Sequence, residues 1–164
     1  MSNLKKINNK IFSIKDLKTK LSIWRENGEK IIFTNGCFDI IHKGHIQVLA
    51  NTADLGDRLI IGLNSDISVQ KLKGLNRPIV EEDARAFLLA SINFVDAVVL
   101  FSEETPINLI TTLKPNVLAK GGDYAISSVV GYKEVKEYNG EVIIMPFVDG
   151  FSSTSIIEKI KNNG

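Results

Sequence analysis

The strongest constraint on this chain is an alternation. Short, continuously apolar runs recur along it, and most are followed by a segment with helical spacing. The runs are "KIIFTN" (30–35), "RLIIGLN" (58–64), "DAVVLF" (96–101), "NVLA" (116–119) and "EVIIMP" (141–146). Strands without a polar face must be covered on both sides, and the helices between them do the covering. With right-handed crossovers, this predicts a doubly wound α/β domain around a parallel sheet of five strands.

The helical segments carry their own signals. "HIQVLANTADLG" puts Ile46, Leu49, Ala50 and Ala53 on one face and stops at Gly56. "EEDARAFLLASINF" is made of good helix formers, and "TPINLITTL" has a cap at Thr105 with Pro106 at the first helical position. "SSTSIIEKIKNN" closes the chain as a helix, while "SDISVQKLKGLNRP" reads as a polar segment broken by Gly74 and Pro78. Residues 1–29 are expected to form a helical extension packed on a domain of residues 30–164. In the extension Ser13 and Asp16 resemble a capping box, Ile14, Leu17, Leu21 and Trp24 make one apolar stripe, and Gly28 ends the helix.

Composition excludes several classes. The chain has 164 residues, of which 44% are hydrophobic and 24% charged, the profile of one folded domain and not of a disordered chain. Its single cysteine, Cys37, cannot build a disulfide framework and fits a reducing compartment. No apolar run approaches the length of a membrane helix, and "MSNLKKINNK" is too polar for a signal peptide, so a cytoplasmic location with no membrane partner is expected. A net charge of +1 gives no electrostatic case for broad nucleic-acid binding. The first thirty residues carry a net +5 against −4 for the remainder, which reads as the solvated face of a helix.

Ligands of open parallel sheets bind beyond the carboxyl ends of the strands, where the strand order switches. At those ends this sequence has "TNGCFDIIHKGH", "NSDISVQKLKG", "KGGDY" and "FVDGFSSTS": glycines, lysines, carboxylates and hydroxyls. Asp123 and Asp149, each next to a glycine, also suit simple turns. Neither a G-x-G-x-x-G fingerprint nor a G-x-x-x-x-G-K-[ST] loop occurs, which disfavours nicotinamide enzymes and P-loop NTPases. Both histidines, His42 and His45, sit between the first strand and its helix. Three roles are open to them. A metal site lacks a paired-cysteine or H-E-x-x-H spacing, with only Cys37 or Asp39 near. A capping or packing role is the plain structural alternative. Phosphate contact is favoured by the placement, because Gly44 and the free amides of a helix N-terminus would lie beside both rings.

"GCFDIIHKGH" together with "DGFSSTSII" resembles the two signatures of the cytidylyltransferase-like nucleotidyltransferase superfamily. The likeness extends through "LGDRLIIGLNSDISVQKLKG" and "KGGDY", over roughly residues 30 to 162, and within the superfamily it is nearest to the heptose 1-phosphate adenylyltransferases. The resemblance implies a Rossmann-like fold and a stand-alone transferase that joins ATP to a sugar 1-phosphate and releases pyrophosphate. Mg²⁺ would be bound mainly through the phosphates. A homodimer and a separate heptose kinase as pathway neighbour are also implied.

It further implies roles at matching positions. His42, His45, Lys73 and Arg85 would act on the phosphates as catalytic groups, with Lys71 less central. Asn35, Gly36, Cys37, Phe38, Asp39 and Gly44 would shape the nucleotide site, and Asp39 would help to position phosphate or metal-bound water. Lys120, Gly121, Gly122 and Asp123 would lie near the base or sugar. Ser153 and Thr154 would hold the β- and γ-phosphates, besides capping the last helix. Lys43, Ser155 and Phe151 depart from the pattern and bear on sugar choice. Two rival readings use the same residues: a cytidylyltransferase for an alcohol phosphate such as glycerol 3-phosphate, and a non-catalytic nucleotide-binding module.

Overall fold

Among the described residues six parallel strands, one more than the sequence predicts, form the sheet in the order β1-β4-β3-β2-β5-β6. They are β1 (Ile11–Phe12), β2 (Ile31–Gly36), β3 (Arg58–Asn64), β4 (Ala97–Phe101), β5 (Val117–Gly121) and β6 (Glu141–Met145). This computed structural model describes residues 1–147 and 150–163; Asp149 lies outside the described residues. The added strand is β1, which lies at the sheet edge with Ile11 opposite Val98 and Phe12 opposite Val99. Two residues cannot show a periodicity, so only the pairing with β4 makes them a strand.

The helices are α1 (Asn3–Asn8), α2 (Ile14–Glu26), α3 (Lys43–Ala53), α4 (Asp66–Lys73), α5 (Glu82–Ser91), α6 (Ile107–Leu113), α7 (Tyr132–Glu137) and α8 (Ser153–Asn162). The strands bury both faces. Ile31 and Phe33 join Leu17, Leu21 and Trp24 of α2 and Leu109, Ile110 and Leu113 of α6 in one core. On the other face Ile32, Ile61 and Leu63 pack with Leu49 of α3 and with Ala86 and Leu89 of α5.

At α2 the Ser13 oxygen accepts from the Asp16 amide at 3.1 Å, as a capping box requires. Gly28, at φ 74, donates to Arg25 while Glu29 donates to Trp24, both at 2.9 Å, and this closes the helix as a Schellman turn. Ile14 is not part of the buried stripe; it is 42% exposed. Helix α4 corrects the reading of residues 66–73 as an irregular polar segment. Ser65 caps it by accepting from the Ser68 amide, and only Ser68 and Val69 are buried, so no apolar stripe marks it in the sequence. Helix α6 begins one residue later than expected, with Pro106 as the flanking residue and no side-chain cap.

The strand order reverses between β2 and β5. They pair only at Ile32–Val117 and Phe33–Leu118, whereas β2 and β3 stay in register over six positions. Beyond Phe33 the two carboxyl ends are no longer in register. A crevice at the switch point follows.

Candidate active site

Two adjoining clefts open at that crevice. The first, about 300 Å³, is lined by Asn35, Gly36, Cys37, Phe38 and Asp39 after β2, and by His42, Gly44 and His45 at the start of α3. Lys73, Lys120, Gly121, Ser153 and Thr154 complete its predicted lining. The second, about 520 Å³, shares Asn35, Gly36, Cys37, Lys73, Lys120 and Gly121 with it and runs toward Asn64, Glu104, Thr105 and Tyr124. Thr34, Val48, Leu49, Phe147, Phe151 and Ser152 also line the first cleft, and no strand-end segment of the sequence contains Val48 or Leu49.

The histidines are stacked, with ring centroids 3.9 Å apart and planes at 22°. His42 precedes α3 in extended conformation and makes no side-chain cap, so the first amides of α3 are not satisfied by it. Nδ1 of each ring is buried and has no hydrogen-bond partner among the described residues. Such orphaned polar atoms call for a ligand or water. A Cβ at Gly44 would stand 3.0 Å from Cβ of Phe151 and 3.1 Å from the His42 ring, so both would have to shift by a few tenths of an ångström to admit a larger residue. Lys43 is exposed, with its ammonium 5.6 Å from the Phe151 ring, outside the cleft lining.

Burial pushes the His45 pKa down to about 4, and the positive charges of His42 and Lys73 add to this against Asp39. Burial also lowers His42. Between the ordinary value and about 4, the unfolded chain binds the proton that the folded chain refuses, so stability falls as the pH falls through this window. The melting temperature is expected to drop between about pH 7 and pH 5. His45→Gln should flatten that slope in thermal melts, and an unchanged slope would contradict the buried neutral ring.

Asp39 is 2% exposed, and its carboxylate is held by three hydrogen bonds. It accepts from Arg77 Nε at 2.7 Å and from the amides of Ile79 at 2.9 Å and Val80 at 3.0 Å. Burial alone would raise its pKa, but the two amides and Arg77 outweigh this and hold it below the usual carboxylate range. Asp39 therefore ties the loop before α5 to the turn after β2. Three bonds engage most of its acceptor positions, and it still lines the first cleft, where the resemblance implies a role in positioning phosphate or metal-bound water. That turn is costly, with Phe38 at φ 48 and Ile40 at φ 52. The Ser153 hydroxyl pins it from the opposite side by donating to the Asp39 carbonyl. Ser152, not Ser153 or Thr154, caps α8, accepting from the Ser155 amide at 3.0 Å.

Arg85 departs furthest from expectation. It is fully buried and lines neither cleft. Its guanidinium donates to the carbonyls of Val80 (2.8 Å), Cys37 (2.6 Å) and Asn64 (2.8 Å) and to the Asp66 carboxylate (2.6 Å). It braces the ends of β2 and β3 from behind and leaves one N–H free at most. Gly122 is buried beside the clefts, its amide bonded to Met145 O at 3.0 Å. A Cβ there would overlap the Tyr124 ring, so this glycine lets Tyr124 wall the second cleft. Asp123 is exposed and lines neither. Lys71 is likewise exposed and outside both clefts. Among the described residues, no three His, Cys, Asp or Glu side chains converge on a point that could hold a metal.

Against known proteins, the family model for cytidylyltransferase-like proteins matches residues 33–159. The chain belongs to the cytidylyltransferase-like family. It is a nucleotidyltransferase with a Rossmann-like fold. Among its relatives are the bifunctional protein HldE of Koribacter versatilis, 52% identical over 92% of this chain, and that of Trichlorobacter lovleyi, 53% identical over 83%. The chain spans only 31% and 28% of those two proteins. A crystal structure of the lipopolysaccharide core biosynthesis protein from Thermoplasma volcanium superposes with a TM-score of 0.65 at 25% identity, covering 74% of this chain and all of that one. No described helix in this family member is long and apolar enough to cross a membrane.

Proposed function

We propose that this chain joins ATP to D-glycero-β-D-manno-heptose 1-phosphate, forming ADP-heptose and pyrophosphate for lipopolysaccharide precursor synthesis. Support comes from the HldE relatives and from the lipopolysaccharide core biosynthesis protein of like fold. The observation that carries the reading is the pair of clefts meeting at one wall, with two stacked, unpartnered imidazoles in the first. A bisubstrate transferase needs two sites that touch at the reacting atoms.

The nucleotide would occupy the first cleft, its phosphates against His42, His45, Lys73 and the amide ends of α3 and α8. The acceptor's phosphate oxygen attacks the α-phosphorus. The bond from that phosphorus to the bridging oxygen breaks, and its electron pair leaves with pyrophosphate. Mg²⁺ would be bound mainly through the triphosphate and offset its charge, as is usual for a cation that takes few protein ligands. A heptose kinase is the proposed pathway neighbour, since the acceptor must first be phosphorylated at its anomeric oxygen.

Pyrophosphate release, measured for four nucleoside triphosphates against a panel of sugar and alcohol phosphates, tests the reading. ATP with the heptose 1-phosphate should exceed every CTP pairing by at least about tenfold in kcat/KM. A preference for CTP with glycerol 3-phosphate would move the chain to the alcohol-phosphate branch. Nucleotide binding without any magnesium-dependent pyrophosphate would make it a binding module.

A further inference from the structure

Lys120 ends β5 at the wall shared by the two clefts. It is half-buried, and its ammonium makes only long contacts, 3.3 Å to the Asn35 side-chain oxygen and 3.5 Å to the Asn35 carbonyl. It forms no ion pair among the described residues. Of the internal arginines beside the site, Arg85 already donates to four acceptors and Arg77 is paired with Asp39. A desolvated ammonium with one amide neighbour has capacity for an anion that the protein does not supply.

The second cleft has a polarity that says which anion. Its cationic side chains, Lys73 and Lys120, lie on the wall it shares with the first cleft. Its carboxylate, Glu104, belongs to the exposed loop after β4, and Asn64 and Tyr124 add polar groups between walls that are largely apolar. A compound with one phosphate and an uncharged, hydroxylated body fits this arrangement with its phosphate at the shared wall.

We propose that Lys120 is the ligand of the acceptor's phosphate, holding it in the second cleft where that cleft opens onto the nucleotide. The inference rests on the transfer reaction proposed above and assigns one substrate of that reaction to one side chain. Burial lowers the Lys120 pKa, with Cys37 acting against it, and an arriving dianion would favour the charged form.

The test compares wild type, Lys120→Met and Lys120→Arg. In steady-state pyrophosphate release, Lys120→Met should raise KM for the sugar 1-phosphate at least about tenfold, the loss expected for one charge-assisted hydrogen bond, and leave KM for ATP within about twofold. Lys120→Arg should recover part of that loss. The ligand-free melting temperature of Lys120→Met should not fall, since it loses a desolvated charge and no ion pair; a structural lysine would lower it. A rise in KM for ATP alone, or no change in either KM, overturns the assignment.

A second measurement is independent of turnover. Inorganic phosphate is titrated calorimetrically onto protein saturated with the non-cleavable analogue α,β-methylene-ATP. Phosphate should bind the wild type and bind Lys120→Met at least about tenfold more weakly. No binding to the wild type, or equal binding to both, overturns it. If no sugar phosphate supports pyrophosphate release, the proposed function falls while this titration still decides Lys120. Should Lys120→Met fail to fold, Lys120→Gln is read in the same titration.

Discussion

Replacing His45 by Ala should lower kcat by about 10²–10³-fold, with a smaller change in ATP affinity. The chemistry explains why. A phosphate monoester loses its second proton near pH 6, so at neutral pH the acceptor is already a dianionic nucleophile and needs no general base. What the reaction requires is stabilisation of negative charge that spreads over the α-phosphoryl group and onto the departing pyrophosphate. Pre-placed donors supply it without reorganisation. A neutral imidazole is such a donor, and burial keeps His45 neutral, with its pKa near about 4.

His42→Ala should behave alike. Because the rings stack at 3.9 Å, the double variant should lose less than the product of the single losses. Both variants should remain folded, since neither histidine is in the apolar core. Single-turnover kinetics and thermal melts read the two effects separately. Near-normal turnover, or unfolding, would make these histidines structural.

Arg85→Met should fail for a different reason. The substitution leaves the carbonyls of Cys37, Asn64 and Val80 and the Asp66 carboxylate without their donor. Breaking a buried, fully paired guanidinium network costs about 3–5 kcal/mol. For a domain of this size that corresponds to a loss on the order of 10 °C in melting temperature. Arg85→Lys should rescue little, because one ammonium cannot reach acceptors spread over β2, β3 and the loop before α5. A phosphate-holding arginine would give the opposite result, a normally stable protein with a raised KM for ATP. Urea denaturation and ATP titration of the same variant decide between the two.

The sequence by itself determined the parallel α/β class, because strands buried on both faces must be apolar throughout. Five of the six strands announced themselves in that way. It also located much of the lining of the first cleft, since ligands in such a fold bind at strand carboxyl ends and those ends can be read from where each apolar run stops. His42, His45, Gly44, Lys73, Lys120, Ser153 and Thr154 all line the cleft so indicated.

Only the tertiary structure decided what individual charges do. Arg85 and Lys73 look equivalent in sequence, each a basic residue to which the resemblance gives phosphate, yet one is fully buried behind the wall and the other lines the cleft. Asp39 reads as a ligand, and two amides and an arginine about forty positions away engage most of its acceptor positions. Strand β1 exists only through its pairing with β4. The second cleft combines Asn64, Glu104 and Tyr124 with the end of β2, residues that no local pattern relates. In each case the deciding quantity is which partners surround a polar group once water is excluded. Contacts between distant segments set that quantity, and spacing along the chain does not encode it.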